Sequence, residues 1–225
     1  MIKKILIKTR DARWMWDVFG PIYNRQIYNA VCELYEHVVL DIDRDEPAQI
    51  LDVGAGRGDM TLLLAARRPS ASLVGIDFSA TQVRAAERLR KQRGIQNCRF
   101  EQGNAMHLPF ADDRFDAVAT LGSIKHWPDP QQGIAEIYRV LAPGRCAVIS
   151  ETDREVSKEA LKCFMRRFTA WFLWDPLLYW GLRHIIFGPS FSEKEITALA
   201  QTVGFREIRT ERLATCPYVI VKAQK

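Results

Sequence analysis

A chain of 225 residues with 48% hydrophobic and 26% charged residues has the make-up of a globular enzyme, one large domain or one domain plus a lid. The net charge of +5 is too modest to select nucleic acid over a membrane or an anionic metabolite. No window reaches the roughly 18 uncharged apolar residues of a transmembrane helix, and the apolar run of Met1–Lys8 is too short for a signal peptide.

In chain order, residues 12–40 read as helix, because Tyr23, Ile27, Val31, Leu34/Tyr35 and Val38 recur at three- and four-residue steps. Pro21 suits a first helical turn. The charged stretch Asp43–Pro47 stops that helix and leads into a first buried strand, Ile50, Leu51 and Val53. A glycine turn follows, with Gly54, Gly56 and Gly58 at alternate positions, and then a helix opening at Thr61. Glycine there permits positive φ and close approach of the backbone to a ligand, and the helix start offers free N–H groups. A dinucleotide site wants glycines at the first, third and sixth positions, and here the sixth is Asp59. Ser72–Asp77 reads as a second strand ending in an acid 19 residues past Gly58, close to the spacing at which a carboxylate meets a ribose. The competing reading is that Asp77, or Ser79, only caps the next helix, which runs from Ala80 to about Arg93 with a basic outer face.

Cys98–Gly103 is a third strand, followed by Asn104-Ala105-Met106-His107-Leu108-Pro109-Phe110. Asp112–Arg114 is a turn and Phe115–Thr120 a fourth strand, whose following loop, Leu121–Asp129, faces the ligand in an architecture of this kind. Gln131–Leu141 is a helix, Ala142–Arg145 a tight turn and Cys146–Ser150 a fifth strand. From 161 to 191 aromatic residues concentrate: Leu161, Phe164/Met165, Phe168 and Trp171/Phe172 form a helical stripe that Pro176 interrupts. This segment is either a lid over an apolar pocket or a patch lying on a membrane surface, with Arg166, Arg167 and Arg183 at the headgroups. Ser192–Glu195 opens a last helix with a capping box, and two closing strands, Phe205–Thr210 and Pro217–Lys222, form an antiparallel hairpin.

Several of these stretches resemble the class I S-adenosylmethionine-dependent methyltransferases, in particular the ubiquinone/menaquinone-biosynthesis type (methyltransferase type 11). Asp52 with its alternate glycines is similar to their motif I, and Trp16–Asn24 to their N-terminal helix. Gly103–Phe110 is similar to their Gly-Asp-Ala-x-x-Leu-Pro-Phe signature, and Glu136–Gly144 to their helix-turn-strand signature. The resemblance implies an α/β fold: a Rossmann-like seven-stranded sheet, mostly parallel with the last strand antiparallel, and helices on both faces. An N-terminal helical segment (1–46), a cofactor core (47–153), an inserted aromatic helical lid (154–192) and a closing helix and hairpin (193–225) then make one methyltransferase domain. It also implies S-adenosylmethionine as cofactor, held by Tyr23, Asp52, Gly54, Ala55, Gly56, Gly58, Asp77, Phe78, Gln82, Asn104, Ala105 and Leu121. Asn104 stands where the family has an acid, and its side-chain carbonyl can still accept from the adenine amine.

Methyl transfer from a sulfonium is an in-line displacement that an apolar, water-excluding site promotes. A base is needed only for a protonated acceptor; His126, Glu151 and Asp153 are the candidates, with His107 and His184 behind them. No Asn/Asp-Pro-Pro-Tyr/Phe or cysteine follows the fourth strand, which argues against methylation of nucleic-acid bases. The five cysteines are odd in number and lack zinc spacing, so no metal is expected and a reducing cytoplasmic setting is. The expected partner is a small, apolar or lipid-like acceptor, with the membrane-peripheral reading of 161–191 alongside. A non-catalytic protein that binds S-adenosylmethionine or S-adenosylhomocysteine, and a nicotinamide oxidoreductase, are the rival functions.

Overall fold

The structure, a computed structural model, describes residues 30–42, 48–167, 180, 183–184, 189–214 and 216–225. Within them, short runs rich in Val, Ile, Leu and Ala build a seven-stranded sheet in the order β3-β2-β1-β4-β5-β7-β6. The strands are β1 (Gln49–Val53), β2 (Ser72–Asp77), β3 (Cys98–Gln102), β4 (Phe115–Leu121), β5 (Leu141–Thr152), β6 (Arg206–Arg212) and β7 (Tyr218–Gln224). The first five pair in parallel; β7 runs antiparallel to both β5 and β6. The expected sheet and closing hairpin are therefore present.

The inner parallel strands β1, β2 and β4 are buried on both faces and read as near-continuous apolar runs, whereas the edge strand β3 alternates, with Cys98 and Phe100 buried and Arg99 exposed. Successive residues divide between two cores: Ile50, Leu73, Ala117, Ala119, Val148 and Ile220 face one side, and Leu51, Val74, Val118, Ala147, Ile149 and Val219 the other. The first side is covered by helix α1 (residues 30–42), α2 (Asp59–Arg67), α3 (Ala80–Gln92) and α5 (Lys158–Met165); the second by α4 (Pro130–Val140) and α6 (Glu193–Val203). Helix starts follow the capping chemistry of the sequence. Ser79 accepts from Gln82 N on α3, Asp129 accepts from Gln132 N ahead of Pro130 on α4, and Ser192 with Glu195 closes a capping box on α6. Gly204, at φ 117, ends α6.

Two expectations shift. The fifth strand begins at Leu141 rather than Cys146. Phe115 pairs with Leu141 and Ala117 with Cys146, so the expected turn at 142–145 is a bulge inside a longer strand, with Gly144 at φ 75. α1 continues to residue 42, while Tyr23 and Ile27 lie outside the described residues. Of the aromatic stripe, Leu161, Phe164 and Met165 are buried on α5, whereas Phe168, Trp171, Phe172 and Pro176 lie outside the described residues. Among the described residues no helix is long and apolar enough to cross a membrane.

Candidate functional site

The sheet order reverses direction between β1 and β4, and a cavity of about 360 Å³ opens at the carboxyl ends of these strands. Its floor is the glycine turn. Gly54 and Ala55 donate their amides to Ile76 O at 2.8 and 2.9 Å, which clamps the turn to β2. Gly54, Gly56 and Gly58 have φ of 79°, 55° and 79°, the left-handed region that favours glycine. A Cβ on Gly54 would lie 2.5 Å from Ser123 Oγ and one on Gly58 2.4 Å from Phe100 Cζ, whereas one on Gly56 would meet nothing within 4 Å. The outer two glycines are thus required by the protein itself, and Gly56 presents bare backbone to open space.

Asp77, at the end of β2, accepts from Gly56 N through Oδ2 and from Ser79 N through Oδ1, both at 2.8 Å. Ser79 is the residue that caps α3. Asp77 therefore shapes the turn and also lines the cavity. Asn104 lines it too; its carbonyl accepts from Met106 N at 3.1 Å, leaving a second lone pair and both amide hydrogens. Asp52, buried beneath the glycines, accepts from the Thr61 hydroxyl at 2.5 Å. Burial pushes its carboxyl up to about 7, against the Thr61 hydrogen bond and with help from the Asp77 charge.

Of the residues expected at the cofactor, Asp52, Gly54, Ala55, Gly56, Asp77, Phe78, Gln82, Asn104, Ala105 and Leu121 line this one cavity. Gly58 stands behind it against Phe100, and Tyr23 lies outside the described residues. Of the three candidate bases only His126, on the 3-10 turn Ile124–His126, faces the cavity. Glu151 is fully buried in a 2.6 Å ion pair with Lys125, and Asp153 accepts from Arg212 Nε at 2.7 Å; neither lines the cavity.

The apolar part of the cavity lining is foreseen only in the loop after β4, Leu121–Asp129, and not in α1 or at Tyr218. It consists of Val31, Leu34 and Tyr35 from α1, Leu121, Gly122 and Trp127 after β4, and Tyr218. Trp127 lies over Gly133, where a Cβ would come within 2.3 Å of its ring. Tyr218 opens β7, which runs against the other strands, so its amino end rather than its carboxyl end reaches the ligand side. A search confined to carboxyl ends misses it for that reason.

The cradle fits S-adenosylmethionine: a bare glycine backbone, a carboxylate for ribose hydroxyls, an amide for adenine and an apolar wall. The His37, Asp41 and Glu211 side chains also gather, but the Lys222 ammonium stands 2.6 Å from Asp41 and 3.7 Å from Glu211, where a cation would sit.

A family model described as a methyltransferase domain matches residues 44–186. The chain is 29% identical over 221 residues, 90% of each protein, to the demethylmenaquinone methyltransferase of Lactiplantibacillus plantarum. It is 32% identical over 154 residues, 66% of each, to the ubiquinone/menaquinone biosynthesis C-methyltransferase of Geotalea daltonii. Among solved structures, a SAM-dependent methyltransferase from Aquifex aeolicus shares the fold with a TM-score of 0.62 at 17% identity, over 78% of this chain and 81% of that one. A cradle built for an adenosyl cofactor and a matching family model over most of its length make this chain a member of the methyltransferase domain family, a class I S-adenosylmethionine-dependent methyltransferase.

Proposed function

We propose that the protein methylates a reduced quinone or a similar lipid-like aromatic hydroxyl compound. The observation that carries this reading is that the cavity lined by the glycine turn is also lined by Leu34, Tyr35, Leu121, Trp127 and Tyr218, an apolar and aromatic set. A flat, largely apolar ring suits such a lining. The names of the two relatives, quinone-pathway methyltransferases, agree with it.

The cofactor supplies an electrophilic methyl group on a cationic sulfonium. The protein's own work is to bind both reactants, exclude water and manage one proton. His126, which faces the cavity, takes the acceptor's hydroxyl proton and so raises the nucleophilicity of the ring carbon. Once that carbon has gained the methyl group it loses its own hydrogen as a proton, His126 returns its proton to the oxygen, and one proton is released in all. The Tyr35 and Tyr218 rings and Trp127 hold the acceptor plane in line with the methyl group. Neither Glu151 nor Asp153 takes part, since each is committed to an ion pair away from the cavity.

The segment 161–191 acts as a lid in this reading rather than as a membrane anchor. Arg167 donates to Ala30 O at 2.8 Å and to Glu33 at 2.7 Å, and Arg183 donates to Val156 O at 3.0 Å. Two of the three arginines expected at headgroups are thus turned back onto the protein.

Incubation with methyl-labelled S-adenosylmethionine and a reduced 2-prenyl-1,4-naphthoquinone that lacks the ring methyl tests the proposal. Label is expected in the naphthoquinone with the wild-type chain and about a hundredfold more slowly with His126→Ala. Label in a different fraction of a cell extract overturns the acceptor, and label in none of them makes the protein a binder of the cofactor.

A further inference from the structure

Behind the acceptor wall lies a pair of charges that the chemistry above does not use. Lys125 Nζ and Glu151 Oε1 stand 2.6 Å apart with side chains 3% and 0% exposed, and neither faces the cavity. The pair does more than neutralise itself. Glu151 Oε2 accepts from the backbone amide of Lys125 at 3.1 Å, and the Lys125 ammonium donates to Gly122 O at 3.0 Å. Gly122 in turn donates its amide to Ser150 O at 2.8 Å. Two side chains and one strand backbone therefore hold the loop at Gly122 and at Lys125, next to Ser123 and His126, which line the cavity.

Placing two charges out of water costs several kcal/mol per ion, and well-packed apolar residues of the same size stabilise a fold as well or better. Stability alone is a poor reason for such a pair. Direction is a better one, because an ammonium and a carboxylate with their donors and acceptors filled fix a loop to within a fraction of an ångström. Burial pushes the Glu151 carboxyl up, yet the Lys125 charge and the hydrogen bonds from Lys125 and Thr152 outweigh it and hold the carboxyl below its ordinary value. Glu151 is therefore held as the carboxylate.

We infer that Lys125 and Glu151 are positioning residues, which fix the Gly122–Trp127 loop and so aim His126 and the aromatic wall at the acceptor. Glu151, an apparent base when the sequence is read alone, acts through the loop and never touches the acceptor.

The test replaces the pair by a neutral one of similar shape, Lys125→Met with Glu151→Gln, and reads the loop directly. Hydrogen exchange of the amides in 122–127 is expected to quicken about tenfold while the chain still melts cooperatively. The dissociation constant for S-adenosylhomocysteine is expected to shift less than about threefold, and kcat with the naphthoquinone above to fall about tenfold at nearly constant KM. Should the double variant fail to fold, Glu151→Gln alone, which keeps one acceptor oxygen, is read by the same exchange. Unchanged exchange in 122–127 overturns the assignment, as does quickened exchange with full kcat. The kcat arm rests on the proposed acceptor, whereas the exchange arm does not: a wild-type chain that leaves the naphthoquinone unmethylated defeats the acceptor reading, and exchange still decides the pair.

Discussion

The Asp77 carboxylate accepts the Gly56 amide at 2.8 Å, so the acid at the end of the second strand and the middle glycine of the first turn form one unit. Asp77→Asn sets an amide N–H₂ or a weaker carbonyl against the Gly56 and Ser79 amides and removes the charge that would strengthen bonds to ribose hydroxyls. Hydrogen bonds to charged groups contribute about 1.5–3 kcal/mol. Calorimetric titration with S-adenosylhomocysteine is therefore expected to show roughly ten- to hundredfold weaker binding. Unaltered affinity would leave Asp77 as a builder of the turn alone.

Gly56 and Gly58 share a left-handed backbone but differ in what surrounds them. A Cβ on Gly58 would overlap Phe100 at 2.4 Å, and one on Gly56 meets nothing within 4 Å. Gly58→Ala is expected to lower folding stability by about 2–4 kcal/mol, combining left-handed strain with overpacking. Gly56→Ala carries only the strain, about 1–2 kcal/mol, and puts its methyl group at the cavity, where it would crowd a cofactor bound there. Denaturant melts and cofactor titrations on the two variants should separate them: the first loses mainly stability, the second mainly affinity.

Asp52 gives the site a pH dependence. Its folded value, raised to about 7 from 3.8, means that the folded chain holds a proton the unfolded chain has lost throughout that interval. Stability from this group thus falls as pH rises between the two values, and Asp52→Asn is expected to flatten that slope. A cationic cofactor favours the carboxylate, so its binding below about pH 7 releases a proton. Calorimetry in buffers of different ionisation enthalpy should find more proton release with S-adenosylmethionine than with S-adenosylhomocysteine, which lacks the sulfonium charge. Equal release with both ligands would sever Asp52 from the sulfonium.

Much of the cradle was legible because its parts are local. A strand, a glycine turn and a helix start are written within about fifteen residues, and Asp77 and Asn104 fall at the ends of the next two strands. The α1 and β7 parts of the apolar lining were not, unlike the loop after β4. Tyr35 and Tyr218 line the one cavity from distant parts of the chain, and periodicity shows only that each sits on an apolar face. Glu151 misled for a related reason. A carboxylate after the fifth strand is in the right place for a base, and only its partner 26 residues earlier shows that it is already spent on an ion pair. The bulge at 142–145 escaped because a Pro-Gly turn and a Pro-Gly bulge look alike without the register of β4 beside them.

The stretch Glu136–Gly144, which resembles the family's helix-turn-strand signature, has its physical basis in Glu136 and Arg139. The Arg139 guanidinium forks onto the Glu136 carboxylate at 2.7 and 2.8 Å, then reaches Leu108 O at 3.0 Å and Phe110 O at 2.7 Å. Glu136 Oε2 accepts from Leu108 N at 2.8 Å. One turn of α4 therefore clamps the segment just past Asn104 and Ala105, which line the cofactor cavity. The Arg139 hydrogen bonds hold the Glu136 carboxyl below its ordinary value, against burial and with the Leu108 amide adding to the effect. A depressed value contributes stability above the unfolded carboxyl range, and that contribution is lost as pH falls through the folded value. Because Arg139 is 30% exposed, solvent weakens the pair, and Glu136→Gln is expected to cost about 1–2 kcal/mol near neutral pH. Urea melts from about pH 7 down to about pH 4 should show that deficit shrinking at the acid end. A looser 104–110 segment should also weaken S-adenosylhomocysteine binding severalfold. A variant that loses stability and keeps full cofactor affinity would confine the clamp to the fold and detach it from the adenine side of the site.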